Sequence, residues 1–231
     1  KKETISRLIK DVKEIIKNPL ESHSIYYKHD DEDLLKGKAL IIGPQGTPYE
    51  NGFYLFEIIY PSNYPYSPPK IIYKTNDGLT RFNPNLYKCG KVCLSVLNTW
   101  RGEQWSSCQT ISSILLVLCT VLNDTPLLNE PGLTKTHIDY DNYNSILKFK
   151  NMEFAIINML TNENIVLLFS DFTKVMNEHF LNNFNTILTI IDKEIEQQTI
   201  NNNPDTNIIT TSVYQMNFKI NYKELKKKLI K

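Results

Sequence analysis

Chain breakers are missing from nearly half of this sequence. All 8 glycines lie between Gly37 and Gly132, and of the 11 prolines only Pro204 lies beyond Pro131. Tight turns need such residues, so the first 132 residues read as strands with structured loops and the last hundred as helix. A surplus of charge is also missing. The 26 Lys+Arg against 25 Asp+Glu leave +1, which excludes the basic footprint of a general nucleic-acid binder. The longest apolar run, Ile111 to Leu122, is interrupted by Ser112, Ser113 and Thr120. It is too short to span a bilayer, and no membrane partner is expected. Four cysteines make no disulfide framework and suit a reducing compartment, cytoplasmic or nuclear, with free thiols. Metal-ligand spacing is lacking as well. Cys89 and Cys93 form one pair without a second, and His23, His29, His137 and His179 are scattered, so no metal is expected. No signal peptide is visible, and a start at Lys1 rather than Met leads us to expect the natural N-terminus upstream.

Apolar material is ample, at 41% hydrophobic and 11% aromatic, enough for one large domain or a domain with an extension. Helical spacing of Ile5, Leu8, Ile9, Val12, Ile15 and Ile16 predicts a helix over 3–17 with a basic opposite face, stopped by Pro19. Four strands rich in Ile, Tyr and Phe are predicted at 23–29, 37–43, 53–60 and 70–74, joined by short turns as in an antiparallel meander. A long irregular stretch, 75–109, holds both Trp and three of the four Cys, and loops of that length are usually functional. A helix over 109–122 is predicted next, with Ser106 and Gln109 at capping-box spacing. Further helices are predicted at 141–160, 164–198 and 222–231, with a polar loop at 201–207.

The cysteines differ in prospect. Cys119 falls next to a core position of the predicted helix and reads as a buried small residue. Cys108 falls at its predicted start, where a thiol can be activated, although burial is the commoner fate. Cys93 has no His near it in sequence, which argues against a protease-type base. A thiol can still exchange thioesters without a dedicated base. Such chemistry needs a donor for the oxyanion, and a side-chain amide supplies one. Asn85, set after Pro84, is a candidate; the alternative is a turn Asn satisfying its own backbone.

The stretch from Gly43 to Gly132 resembles the catalytic core of ubiquitin-conjugating enzymes. The marks are Tyr64-Pro65-Tyr66-Ser67-Pro68-Pro69, Asn83-Pro84-Asn85, Gly90-Lys91-Val92-Cys93-Leu94 and Trp105-Ser106, then the helix over 109–122, with eight residues from Asn85 to Cys93. Arg81-Phe82, Ser95, Thr99-Trp100, Asn129-Glu130-Pro131-Gly132 and the tail Asn221-Tyr222-Lys223-Glu224-Leu225 are similar to the Z type of that family. The resemblance implies an α/β (α+β) fold, a four-stranded antiparallel meander flanked by helices, with the Cys on an exposed shallow groove. It implies a catalytic core over 1–160 and a helical C-terminal extension over 161–231 packed on it.

The resemblance also implies a transferase reaction. Cys93 would accept ubiquitin or a ubiquitin-like protein from an activating enzyme as a thioester, and pass it to a substrate lysine or a ligase thiol. Asn85 would stabilise the oxyanion or hold the loop that does. No cofactor is expected, since ATP is used by the activating enzyme. Asn83 stands where the family commonly has His, Phe82 where many members have Tyr, and Ser95 where Asp is common. The acidic residue across the groove aligns with Thr125, and Asp124 is adjacent. Arg7 and Lys10 match basic positions that meet the activating enzyme. Tyr66, with the Trp105-Ser106-Ser107-Cys108 loop, matches ligase-docking positions, which implicates Ser107. Two other readings compete: a non-catalytic binding module of the same fold, and a redox or metal pair of Cys89 with Cys93.

Overall fold

The computed structural model describes residues 2–200 and 207–230. The chain opens with helix α1 (Lys2–Lys17), followed by strands β1 (Ile25–His29), β2 (Lys36–Ile42), β3 (Phe53–Ile59) and β4 (Lys70–Tyr73). These form one antiparallel sheet in sequential order. Tyr27 faces Ala39, Ala39 faces Phe56 and Phe56 faces Tyr73 across the ladder. The loop 75–110 leads into α2 (Ile111–Val121), and α3 (Tyr140–Lys150) continues through a π-helical stretch, Asn151–Asn158, into α4 (Met159–Thr161). The extension holds α5 (Glu163–Leu168), α6 (Thr173–Ile200), a hairpin of β5 (Asn207–Thr211) and β6 (Met216–Ile220), and α7 (Tyr222–Ile230).

The sheet is buried on both faces. Ala39, Ile41, Tyr54, Phe56 and Ile58 join Ile111, Ile114, Leu115 and Leu118 of α2 in one core. Leu40, Ile42, Phe53 and Leu55, the alternate residues, join Phe149, Met152, Phe169, Met176, Ile187, Ile191, Tyr222 and Leu225 in a second. Strands with a solvent face alternate apolar and polar; β3 and the second half of β2, from Ala39 to Ile42, instead carry near-continuous apolar runs because both sides are covered. Full burial of such a side chain is worth about 1.5–3 kcal/mol, so the extension is an integral layer of the molecule.

Several expectations are corrected here. In α1 the buried face is Thr4, Leu8, Asp11 and Ile15, while Ile5, Ile9 and Ile16 are exposed. Hydrogen bonds draw the polar residues inward: Thr4 Oγ1 donates to Ser62 O at 3.0 Å, and Tyr64 Oη donates to Asp11 Oδ2 at 2.6 Å. The capping box of α2 is Thr110 with Ser113, not Ser106 with Gln109. Cys108 therefore lies ahead of the helix, and it is exposed. The predicted helix 164–198 is broken at Phe169, which is buried against Phe172. The last hundred residues also include the β5–β6 hairpin. Residues 201–206 of the predicted loop, and Lys231 of the predicted terminal helix, lie outside the described residues.

Candidate active site

The eight-residue step from Asn85 to Cys93 is a small hairpin. Leu86 bridges Val92, Tyr87 N donates to Lys91 O at 2.9 Å, and Gly90 N donates to Tyr87 O at 2.9 Å. Gly90 takes φ +87°, and a Cβ there would lie 3.1 Å from the Tyr73 carbonyl oxygen, so the turn calls for glycine. With 86 opposite 92, Asn85 falls opposite Cys93. Cys93 N donates to Asn85 O at 2.9 Å, and Asn85 Nδ2 donates to Cys93 O at 2.8 Å. Asn85 Oδ1 is buried with no partner among the described residues. Leaving an acceptor unpaired costs about 1–3 kcal/mol, an expense that marks this amide as a functional candidate.

Asn83 secures the loop from behind. Its Nδ2 donates to Tyr49 Oη at 2.8 Å and to Val121 O at 2.7 Å, and its Oδ1 accepts from Asn85 N at 2.9 Å. Asn129 Nδ2 joins at Val121 O, 3.0 Å, and Asn123 Nδ2 reaches Asn129 Oδ1 at 3.0 Å. One amide thus ties the Asn85 loop to the turn before β3 and to the end of α2. Tyr49, Asn123 and Asn129 escaped notice as site residues because their role depends on contacts 6 to 46 residues apart.

Cys93 itself departs from expectation. It is 2% exposed, not set out on an open groove. Both its backbone groups are taken by Asn85, and the chain after it curls into a 3-10 turn, Ser95–Leu97. Thr99 fastens that turn by accepting from Leu94 N at 3.0 Å. All four thiols are free; Cys89 and Cys108 are the exposed ones. Burial pushes the Cys119 thiol above its ordinary pKa. Beside Val92 lies a cleft of about 630 Å³ lined by Pro68, Lys70, Ile72, Cys89, Lys91 and Leu97.

The remaining sequence-derived positions scatter around this centre. Ser95 is half-buried, packed near Gly102. Thr125 N donates to Asn123 Oδ1 at 3.0 Å at the head of the turn Pro126–Asn129. Asp124 is exposed on a different cleft, with Pro48, Glu50, Asn144 and Lys148. Arg7 is engaged internally: Nε meets Asp11 at 2.9 Å, Nη1 donates to Ser107 O at 2.6 Å and Nη2 to Gln109 O at 2.8 Å. Lys10 is exposed. Tyr66 is 63% exposed and donates to Glu3 Oε1 at 2.6 Å. Trp105 Nε1 donates to Pro65 O at 2.7 Å, setting the exposed Ser107 segment near Tyr66. Among the described residues no group of three or more His, Cys, Asp or Glu is arranged to hold a metal ion, and no helix is long and apolar enough to cross a membrane.

A four-stranded meander with helices, and a cysteine clasped to an asparagine eight residues upstream, define a class. The family model described as Ubiquitin-conjugating enzyme matches residues 7–163, and the chain belongs to that family. Within it the chain is similar to the Z type. It is 40% identical over 159 residues to Ubiquitin-conjugating enzyme E2 Z of Danio rerio, covering 68% of this chain and 48% of that protein. Against the Homo sapiens protein of the same name it is 39% identical over 157 residues, 67% of this chain and 44% of the relative. Probable ubiquitin-conjugating enzyme E2 R521 of Acanthamoeba polyphaga mimivirus is 35% identical over 196 residues, 80% of this chain but 13% of that protein. The chain spans about half the length of its Z-type relatives.

Proposed function

We propose that this chain carries ubiquitin or a ubiquitin-like protein as a thioester on Cys93. The observation that carries the reading is the reciprocal clasp between Asn85 and Cys93. The Cys93 thiolate attacks the thioester carbonyl held by an activating enzyme and expels that enzyme's thiolate. A lysine amine of a substrate, or a ligase thiol, then attacks the Cys93 thioester. The tetrahedral oxyanion collapses, Cys93 leaves as thiolate, and an amine acceptor loses its proton to solvent. Asn85 Nδ2 already donates to a carbonyl oxygen of residue 93. It serves the oxyanion directly or by fixing the loop, and a preorganised donor of this kind is worth about 10²–10³ in rate. Asn83 holds Asn85 in register, and Ser95 and Thr125 are proposed to line the acceptor's approach, while Asp124 faces a different cleft.

No cofactor is required by the chain itself, since ATP is consumed by the activating enzyme. Contact with that enzyme falls to Lys10 on α1, with Arg7 bracing the Ser107 segment from within. Tyr66 and Ser107 form the proposed ligase-facing surface. The thiol chemistry requires a reducing compartment, cytoplasmic or nuclear. Incubation with ATP, ubiquitin and an activating enzyme, followed by a non-reducing gel, tests the reading. A band one ubiquitin heavier is expected, cleaved by thiol reductant, absent in Cys93→Ala and retained in Cys89→Ala. Absence of any such adduct with ubiquitin or ubiquitin-like proteins would overturn it in favour of a binding module. Equal loss in both variants would favour the thiol-pair reading.

A further inference from the structure

The turn of the β5–β6 hairpin is fastened to the Asn85 loop, although more than a hundred residues separate them. Arg81 is the point of attachment. Its Nε donates to Asn83 O at 3.1 Å and its Nη2 to Pro84 O at 2.7 Å, so the guanidinium fixes the two carbonyls that immediately precede Asn85. The same guanidinium lies 3.5 Å from the Tyr87 ring centre and 4.7 Å from that of Tyr214. Its main chain is held too: Arg81 N donates to Met216 Sδ at 3.3 Å, and Tyr143 Oη donates to Arg81 O at 2.7 Å.

Tyr214 is in turn secured at both ends. Its phenol donates to the Glu130 carboxylate, and its carbonyl accepts from Lys88 Nζ at 2.9 Å. Burial, then the Glu130 carboxylate, hold the phenol above its ordinary pKa, so it stays a donor. Asp139 accepts from Ser212 Oγ at 2.6 Å and Val213 N at 2.8 Å, anchoring the turn from its other side. Tyr214 and Gln215 take φ +62° and +49°, a region that side-chain-bearing residues occupy at a cost. That conformation persists only where the surroundings over-determine it, and here the surroundings are Glu130, Asp139, Lys88 and Arg81.

We propose that Tyr214, Glu130 and Arg81 are positioning residues for the transfer reaction: the hairpin turn, acting through Arg81, holds Asn85 in its place beside Cys93. The inference deepens the transfer reading above and rests on it. None of the three side chains bonds to Cys93, so the effect reaches the chemistry through the Asn83-Pro84-Asn85 backbone and the hairpin residues Tyr87 and Lys88. Small displacements of a reacting constellation cost far more rate than stability.

The test is single-turnover discharge of the thioester-loaded full chain to free L-lysine, with loading measured separately. Tyr214→Ala is expected to slow maximal discharge about tenfold, with the half-saturating lysine concentration unchanged. Tyr214→Phe, which keeps the ring on Arg81 but loses the Glu130 bond, is expected to fall between. Glu130→Gln, which keeps an acceptor for the phenol, is expected to restore most of what Glu130→Ala loses. The deciding measurement is the double-mutant cycle with Asn85→Ala. If Tyr214 acts through Asn85, its removal in the Asn85→Ala background changes discharge less than about twofold. Equal losses in both backgrounds, or Tyr214 variants that discharge as fast as the parent, would overturn the inference while leaving the thioester intact. A parent chain that forms no thioester would overturn the activity reading and this inference with it.

Discussion

Asn83 shows how one side chain can stand in for a larger one. Its amide occupies three directions at once, toward Tyr49, Val121 and Asn85, and the bonds to Tyr49 and Asn85 are buried. Asn83→Ala leaves the Asn85 N–H without its acceptor, while the Val121 carbonyl keeps the Asn129 donor. Denaturant unfolding is expected to show a loss of about 1–3 kcal/mol. Asn85→Ala should instead cost turnover more than stability, since Asn85 already carries an unpaired buried oxygen. The thiols offer a second residue-level prediction. Cys89 and Cys108 are exposed, Cys93 is 2% exposed and Cys119 has its thiol pKa raised by burial. Limiting iodoacetamide followed by peptide mapping should label Cys89 and Cys108 before Cys93 and Cys119. Labelling of Cys93 first would show that the resting site is more open than its packing. In the sequence the pair Asn85 and Cys93 is marked by the eight-residue step that the resemblance carries; the hairpin that sets the two opposite each other falls in a stretch that reads as irregular. The burial of Cys93 is not marked there, because it arises in an irregular stretch that carries no sequence period.

Among the elements, the first four strands and α2 were readable from β-branched and aromatic runs, and from one apolar stripe. The face of α1 was misread because hydrogen bonds to Ser62 and Tyr64 outweigh the hydrophobicity of Ile5 and Ile9. The β5–β6 hairpin was missed because its turn, Ser212–Gln215, uses neither Gly nor Pro, although Ile208 to Thr211 is a β-branched run. Helix α6 yields a pH prediction. His179 Nε2 pairs with Asn51 Oδ1 at 2.8 Å, and its ring meets Phe53 edge-on with centres 6.0 Å apart. Burial lowers its pKa below the ordinary 6.5. The unfolded chain then binds the proton more readily, so this stability is present above about pH 6.5 and is lost as pH falls toward the folded value. Thermal midpoints measured between pH 7.5 and 5.5 should fall less steeply in His179→Gln than in the parent. His29, likewise lowered by burial, adds to the slope in both proteins and does not affect the comparison.

For the whole molecule, the decisive feature is the double coverage of the sheet. Leu55→Ala is expected to cost about 2–5 kcal/mol, measured by denaturant unfolding, because Leu55 sits between the sheet and the extension. Cutting the chain after residue 160 removes Phe169, Met176, Ile187 and Tyr222 from that layer. The truncated protein should aggregate, or unfold at markedly lower temperature, as seen by light scattering and calorimetry. A fragment that stays monomeric with an unchanged midpoint would show the extension to be a passenger. That an extension packs on the core is what the resemblance implies. Which face it covers is not legible in the sequence, since Leu40, Ile42, Phe53 and Leu55 look the same in sequence as residues directed toward α2.

The Met216–Arg81 contact spans 135 residues, and this sets an order of events at the ribosome. The Asn85–Cys93 hairpin is translated early, and its own bonds are local. The clamp on Arg81 arrives only after Tyr214 and Met216 have been made. At about 5–20 residues per second, the interval is roughly 7–27 seconds, during which the outer face of the sheet also awaits its cover. A nascent chain therefore presents Cys93 before it presents the clamp on Arg81. Messages truncated before the hairpin would yield a thiol without the support that the completed protein gives it.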